Sequence, residues 1–117
     1  MTQMPGLDAF LQGRTEAASF DHAAHIDIAR MLLDRYEFLQ AVHLYMQGLA
    51  AITRKADVPE KLSLTKTLAF LSLIADGQTP DRDALKAFYS SDRLSDPKSR
   101  TIFLMPDRIC TEPDAAG

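Results

Sequence analysis

Apolar residues recur at three- and four-residue spacing along most of this 117-residue chain, and no stretch alternates apolar with polar positions as a half-buried strand does. The pattern predicts helices. A short first one over 7–12 is stopped by Gly13, and a second over 21–35 carries His25, Ala29, Leu32 and Tyr36 on one stripe with Ile26 and Leu33 beside it. A third over 38–53 repeats the spacing with Phe38, Val42, Tyr45, Leu49 and Ile52, and the small residues Ala41 and Gly48 leave a narrow flank for close helix contact. With neither Pro nor Gly between Tyr36 and Phe38, the second and third helices must be joined tightly, which makes them antiparallel neighbours.

Asp57-Val58-Pro59-Glu60 reads as a helix start with a cap, a proline in the first turn and a reciprocal glutamate, so a fourth helix is expected from near Val58 until Asp76-Gly77 stops it. Its Leu62, Leu64, Leu68, Phe70, Leu71, Leu73 and Ile74 point around nearly the whole axis, the mark of a central, most buried helix. Thr79-Pro80-Asp81 opens a fifth with Leu85, Phe88 and Tyr89 inward, and Asp96-Pro97 starts one more short turn. Pro106 forbids further helix, so 103–109 is expected to dock as an extended strap, held by Arg93, Arg100 and Asp107.

The fold class that follows is all-α: a single compact helical bundle of about five helices with an extended C-terminal strap. Residues 1–19 make a short helix and link, 20–109 the bundle, and 110–117, polar and without an anchor, a disordered tail. At this length roughly two thirds of the unfolded surface is buried on folding, enough for one core without disulfides or metal staples.

Composition narrows the function classes. An apolar fraction of 46%, with six Phe and three Tyr, is that of a folded chain and excludes a disordered one. Net charge is −3, and the 13 basic residues are scattered singly or in pairs such as Arg54-Lys55; without a basic stripe, no nucleic-acid partner is expected. The longest apolar stretch, 68–75, is too short to cross a bilayer, so no membrane partner is expected. The lone Cys110 has no intrachain partner and no signal-peptide pattern opens the chain, which points to a cytoplasmic location.

One chemical signal stands out. Phe20-Asp21-His22-Ala23-Ala24-His25 sets two of the three histidines one turn apart at a helix start, where imidazole nitrogens on one face could meet a metal, a carboxylate or a phosphate. The electropositive helix N-terminus disfavours imidazolium there. The competing structural reading has these rings bonded to loop carbonyls or neighbouring helix ends, and two ligands alone leave a tetrahedral metal site half empty. No tightly bound transition metal and no cofactor are therefore expected, and no residue is assigned a catalytic role. Ser63 and Thr67, on one face of the fourth helix, are the residues that could line a small polar pocket with His22 and His25, although buried Ser and Thr also satisfy the preceding turn's carbonyls. His43 lies opposite the apolar stripe of its helix and faces solvent, and Cys110 reads as an inert thiol because no nucleophile motif accompanies it.

Taken together, Phe20-x-His22-x-x-His25 with Ala29, then Tyr89-Ser90-x-x-Arg93-Leu94 with Ser99-Arg100, then Phe103-x-x-Pro106-Asp107 resemble a small uncharacterised bacterial all-helical family over about residues 20–107. The resemblance implies an all-helical fold and no particular activity. Where that family carries Lys-Tyr-His-Glu-Thr-x-Thr, this chain has Lys61-Leu62-Ser63-Leu64-Thr65-Lys66-Thr67, so the side chains that could join His22 and His25 around a metal are absent.

Two readings of function stand side by side. The first is a non-catalytic soluble binding or protein-interaction module, with a protein partner or self-association through a helix face. The second is a metal-dependent or small-anion-binding enzyme whose pocket is headed by His22 and His25. A pocket flanked by Ser63 and Thr67 favours a ligand site; a large apolar surface without a cavity favours an interaction module.

Overall fold

The structure, a computed structural model, describes residues 5–81 and 83–108. Its α-helices are α1 (Pro5–Leu11), α2 (His22–Arg35), α3 (Phe38–Lys55), α4 (Leu64–Ala75) and α5 (Ser91–Ser95), with 3-10 turns at Ala17–Ser19, Pro59–Lys61, Ala84–Ala87 and Pro97–Arg100. No strand occurs among the described residues. The architecture is the all-α bundle that the hydrophobic periodicity predicts. The expected tail 110–117 and Cys110 lie outside the described residues.

Two residues join α2 to α3, so the chain must reverse, and His25 on the first meets Tyr45 on the second, about equally far from the link. The long α3 is the centre of the molecule: α1, α2 and α4 all pack on it. It presents Ala41, Val42, Tyr45, Gly48 and Ile52 inward. The fourth helix, expected to be the most buried, buries Thr65, Thr67, Leu71 and Ile74 but leaves Leu68, Phe70 and Leu73 partly open. A cavity beside Phe70 accounts for that residue's exposure.

Helix α4 also starts six residues later than expected. Asp57 does not open it but closes α3: it adopts φ 60°, its N–H bonds Arg54 O at 3.1 Å, and Val58 N–H bonds Thr53 O at 2.8 Å. This is the left-handed stop that Gly77 provides for α4, performed by a residue whose short polar side chain tolerates that region. Pro59 then begins only a 3-10 turn, and Ser63 caps α4 by accepting from Lys66 N–H at 3.2 Å. The expected fifth helix is likewise reduced to the Ala84–Ala87 turn. There the Asp81 carboxylate takes the Asp83 N–H at 2.9 Å, an alternative to helical bonding.

Both chain ends are fastened to this frame. A seven-residue helix has little stability of its own, but Leu7 and Phe10 of α1 are 0% and 1% exposed, each contributing roughly 1.5–3 kcal/mol by burial. Phe10 reaches that depth because its ring lies directly on Gly48, in the space a Cβ would fill. At the other end, 103–108 runs extended over α4 and α5 as expected. The fully buried Thr65 hydroxyl donates to Ile102 O at 2.7 Å and accepts from Leu104 N–H at 3.0 Å, and Tyr89 donates to Leu104 O at 2.8 Å. Arg93 donates to Met105 O at 3.1 Å, and the Asp107 carboxylate receives both the N–H and the hydroxyl of Ser90. These bonds to Ser90, the hydroxyl first, hold the Asp107 carboxyl below the usual carboxylate range. Arg100, expected among the strap's anchors, is exposed and bonds nothing among the described residues; the buried threonine replaces it because backbone groups docked on a helix need a short local partner.

Gly48→Ala should destabilise the fold by about 1–2 kcal/mol, because the overpacking cost exceeds the roughly 1 kcal/mol gained in helix propensity. In a Phe10→Ala background the same change should be neutral or stabilising, and denaturant titration of the four proteins measures the coupling. Thr65→Val keeps shape but strands Leu104 N–H and Ile102 O. It should cost about 1–3 kcal/mol and accelerate amide exchange at Leu104, and an unchanged exchange rate would show that Thr65 does not hold the strap.

Candidate functional site

The position of the two imidazoles follows from one cap. The Asp21 carboxylate accepts the Ala24 N–H at 2.9 Å, so α2 begins at His22 and its first turn sets both rings on one face. Phe70 of α4 meets both edge-on, with ring centroids 6.0 Å from His22 and 6.4 Å from His25. Phe20, stacked on Phe10, lies 4.1 Å from the His25 ring. Both histidines are half-buried, not the largely buried pair that their stripe predicts, because they stand at a cavity wall.

Their partners fix where the protons sit. His22 Nε2 lies 2.9 Å from Pro80 O, which can only accept, so Nε2 carries a proton and donates it there. Tyr45 Oη lies 3.0 Å from His25 Nδ1 and 3.2 Å from His25 O. A phenol has one proton, and the carbonyl can only accept it, so both contacts are hydrogen bonds at once only when Nδ1–H donates to Tyr45. That assigns a bare lone pair to His25 Nε2. No buried side-chain nitrogen or oxygen lacks a partner among the described residues, so this unbonded atom opens on accessible space, and the space His25 lines is the cavity.

Burial, reinforced by the neighbouring His22 and opposed by Asp21, lowers the His25 pKa to about 4. The ring is neutral at pH 7. Burial also pushes the Tyr45 phenol up, so the pair holds its protons across the physiological range.

The cavity has a volume of about 500 Å³, within the range of small-molecule sites, and lies between the start of α2, the C-terminal half of α3 and the N-terminal half of α4. Leu49, Ile52, Val58, Leu62, Phe70 and Leu85 form much of its wall. His22, His25, Ser63 and Thr67 all line it. Ser63 is committed elsewhere, since its hydroxyl donates to Ser99 O at 3.1 Å and accepts from Lys66 N–H. Thr67 is 5% exposed and its hydroxyl has no protein partner among the described residues, so it too opens on the cavity. His43 is exposed on the far side of α3, as its position on that helix predicts.

Three contributors escape a reading of the sequence alone. Tyr45 is indistinguishable from a core residue by spacing, and only the need of a buried phenol for a partner hints at its role. Lys61 and Lys66 line the same cavity from exposed positions, and neither ammonium is ion-paired among the described residues. Asp81 also reaches the wall, yet among the described residues no three His, Cys, Asp or Glu come together as a metal would need. No family model matches the chain, and no curated protein and no solved structure matches it.

With a folded-state pKa near 4 against 6.5 unfolded, the unfolded chain binds more protons at His25 between those values. The stabilisation is therefore complete above pH 6.5 and lost as pH falls toward 4. The stability advantage of the wild type over His25→Gln, whose amide does not titrate, should shrink by about 2 kcal/mol between pH 7.5 and pH 4 in denaturant titrations, less than the ~3 kcal/mol of the full shift because the half-buried ring is partly screened by solvent. A constant difference would mean that the ring protonates freely.

Proposed function

We propose that this chain is a non-catalytic binding module that takes a small, largely apolar molecule into the cavity headed by His22 and His25. The observation that carries this reading is convergence: residues from α2, α3, the Pro59–Lys61 turn and α4 line one space of about 500 Å³, apolar in its walls and polar at a few points. A site of this composition buries most of a small ligand and orients it with few bonds.

The state of three side chains at the site supports binding over catalysis. His25 is a weak base near pH 7, Tyr45 a weak acid, and the Ser63 hydroxyl is held by Ser99 and Lys66 with no base beside it. The exposed Ile102, Phe103 and Met105 on the strap motivate the second reading, a protein-interaction surface or self-association.

Titrating ¹⁵N-labelled protein with 2-naphthol separates the two. The expected result is a Kd below about 1 mM, with amide shifts concentrated at Leu49, Thr67 and Phe70 and absent from a Leu49→Trp variant that keeps its melting temperature. Shifts confined to 102–105, or binding that survives Leu49→Trp unchanged, would overturn the cavity reading.

A further inference from the structure

The cavity is polarised. At its buried side stand His25 Nε2 on α2, a bare acceptor by the tautomer that Tyr45 imposes, and the hydroxyl of the buried Thr67 on α4, unpartnered among the described residues. In the wall formed by the Pro59–Lys61 turn and the first turn of α4 stand Lys61 and Lys66, exposed and not ion-paired among the described residues. Asp81, the one carboxylate in the lining among the described residues, is on the segment after α4, and its Oδ1 accepts the Asp83 N–H. Leu49, Ile52, Leu62 and Phe70 supply apolar wall between the buried acceptor on α2 and the exposed lysines. A ligand must match both ends, because a polar group buried without a partner costs more than the bond it would have made.

An anion fits only one of them. At His25 it would meet a lone pair, or require a ring held neutral by burial to take up a proton. At the lysines it meets mobile cations that stay hydrated until it arrives. The neutral end has the opposite demand, since His25 Nε2 accepts and Thr67 can accept or donate, which calls for a hydroxyl or N–H.

Resting on the binding reading above, we propose that the ligand is a small organic acid with an apolar body, its carboxylate between Lys61 and Lys66 and a hydrogen-bond donor at its far end meeting His25 Nε2. The neighbouring groove agrees with an anion at this edge: it shares Lys61, Ser63 and Lys66 with the cavity and adds Arg100, with Glu60 and Asp96 as the opposing charges.

A matched set of naphthalenes tests this on the full chain at pH 7.5 by calorimetry and NMR: 2-naphthol carries the donor, 2-naphthoate the carboxylate, and 6-hydroxy-2-naphthoate both. The last should bind tightest, about three- to fivefold above 2-naphthol through the carboxylate and about three- to tenfold above 2-naphthoate through the hydroxyl. Lys61→Gln/Lys66→Gln should bring 6-hydroxy-2-naphthoate down to the affinity of 2-naphthol and leave 2-naphthol unchanged. His25→Phe should remove the advantage of the hydroxyl. Should that variant not fold, Thr67→Val with the His25 ring shifts as readout replaces it. If 2-naphthol binds in the cavity but the carboxylate adds nothing, or if 2-naphthoate binds with uptake of a proton at His25, the orientation is overturned while the cavity reading stands. If none of the three binds, both are overturned.

Discussion

The ring of Phe10 on the bare backbone of Gly48 is the contact on which most else depends. A seven-residue helix cannot hold itself, and it docks because α3 offers a place where an aromatic ring can lie on the helix itself. From that seat Phe10 stacks on Phe20 at 5.4 Å and leans on Tyr45 at 5.5 Å, and these two flank His25. The chain's N-terminal cover and the proton state of its one unusual side chain are thus parts of the same packed unit. An aromatic cluster of this kind is stiff, so a change in one ring shifts the others.

At the opposite end, polar groups do the corresponding work. Thr65, Tyr89 and Ser90 take up the backbone and Asp107 of a segment that Pro106 keeps from being helical. Such a strap has few apolar contacts to spare, and Ile102, Phe103 and Met105 remain exposed while Leu104 alone turns inward. Its order depends on satisfied backbone groups more than on buried area.

The cavity between the fastenings arises where α4 is late to begin. Because α3 is closed by Asp57 and α4 opened only by Ser63, the chain between them makes a separate 3-10 turn that packs on α3. It carries Val58, Lys61 and Leu62 to the rim of the space that His22 and His25 face. Had the helix begun at Val58, Lys61 and Leu62 would sit within it instead of on a separate turn.

Periodicity and caps were legible in the residues themselves: α2 and α3, the tight link between them, the stop at Gly77 and the extended strap all follow from local spacing, cap chemistry and proline's missing donor. The histidine pair was legible as a pair, since i and i+3 share a face in any helix. Its meaning was not. Whether Asp57 ends one helix or starts the next depends on which competing local pattern the tertiary packing favours, and both are chemically sound at that sequence. That Tyr45 fixes the His25 proton, that Ser63 spends its hydroxyl on Ser99 while Thr67 turns to the cavity, and that Lys61 and Lys66 line that same space are facts of distance between residues far apart in the chain. Such distances are set by how helices pack, and local sequence determines the helices without determining the space left between them.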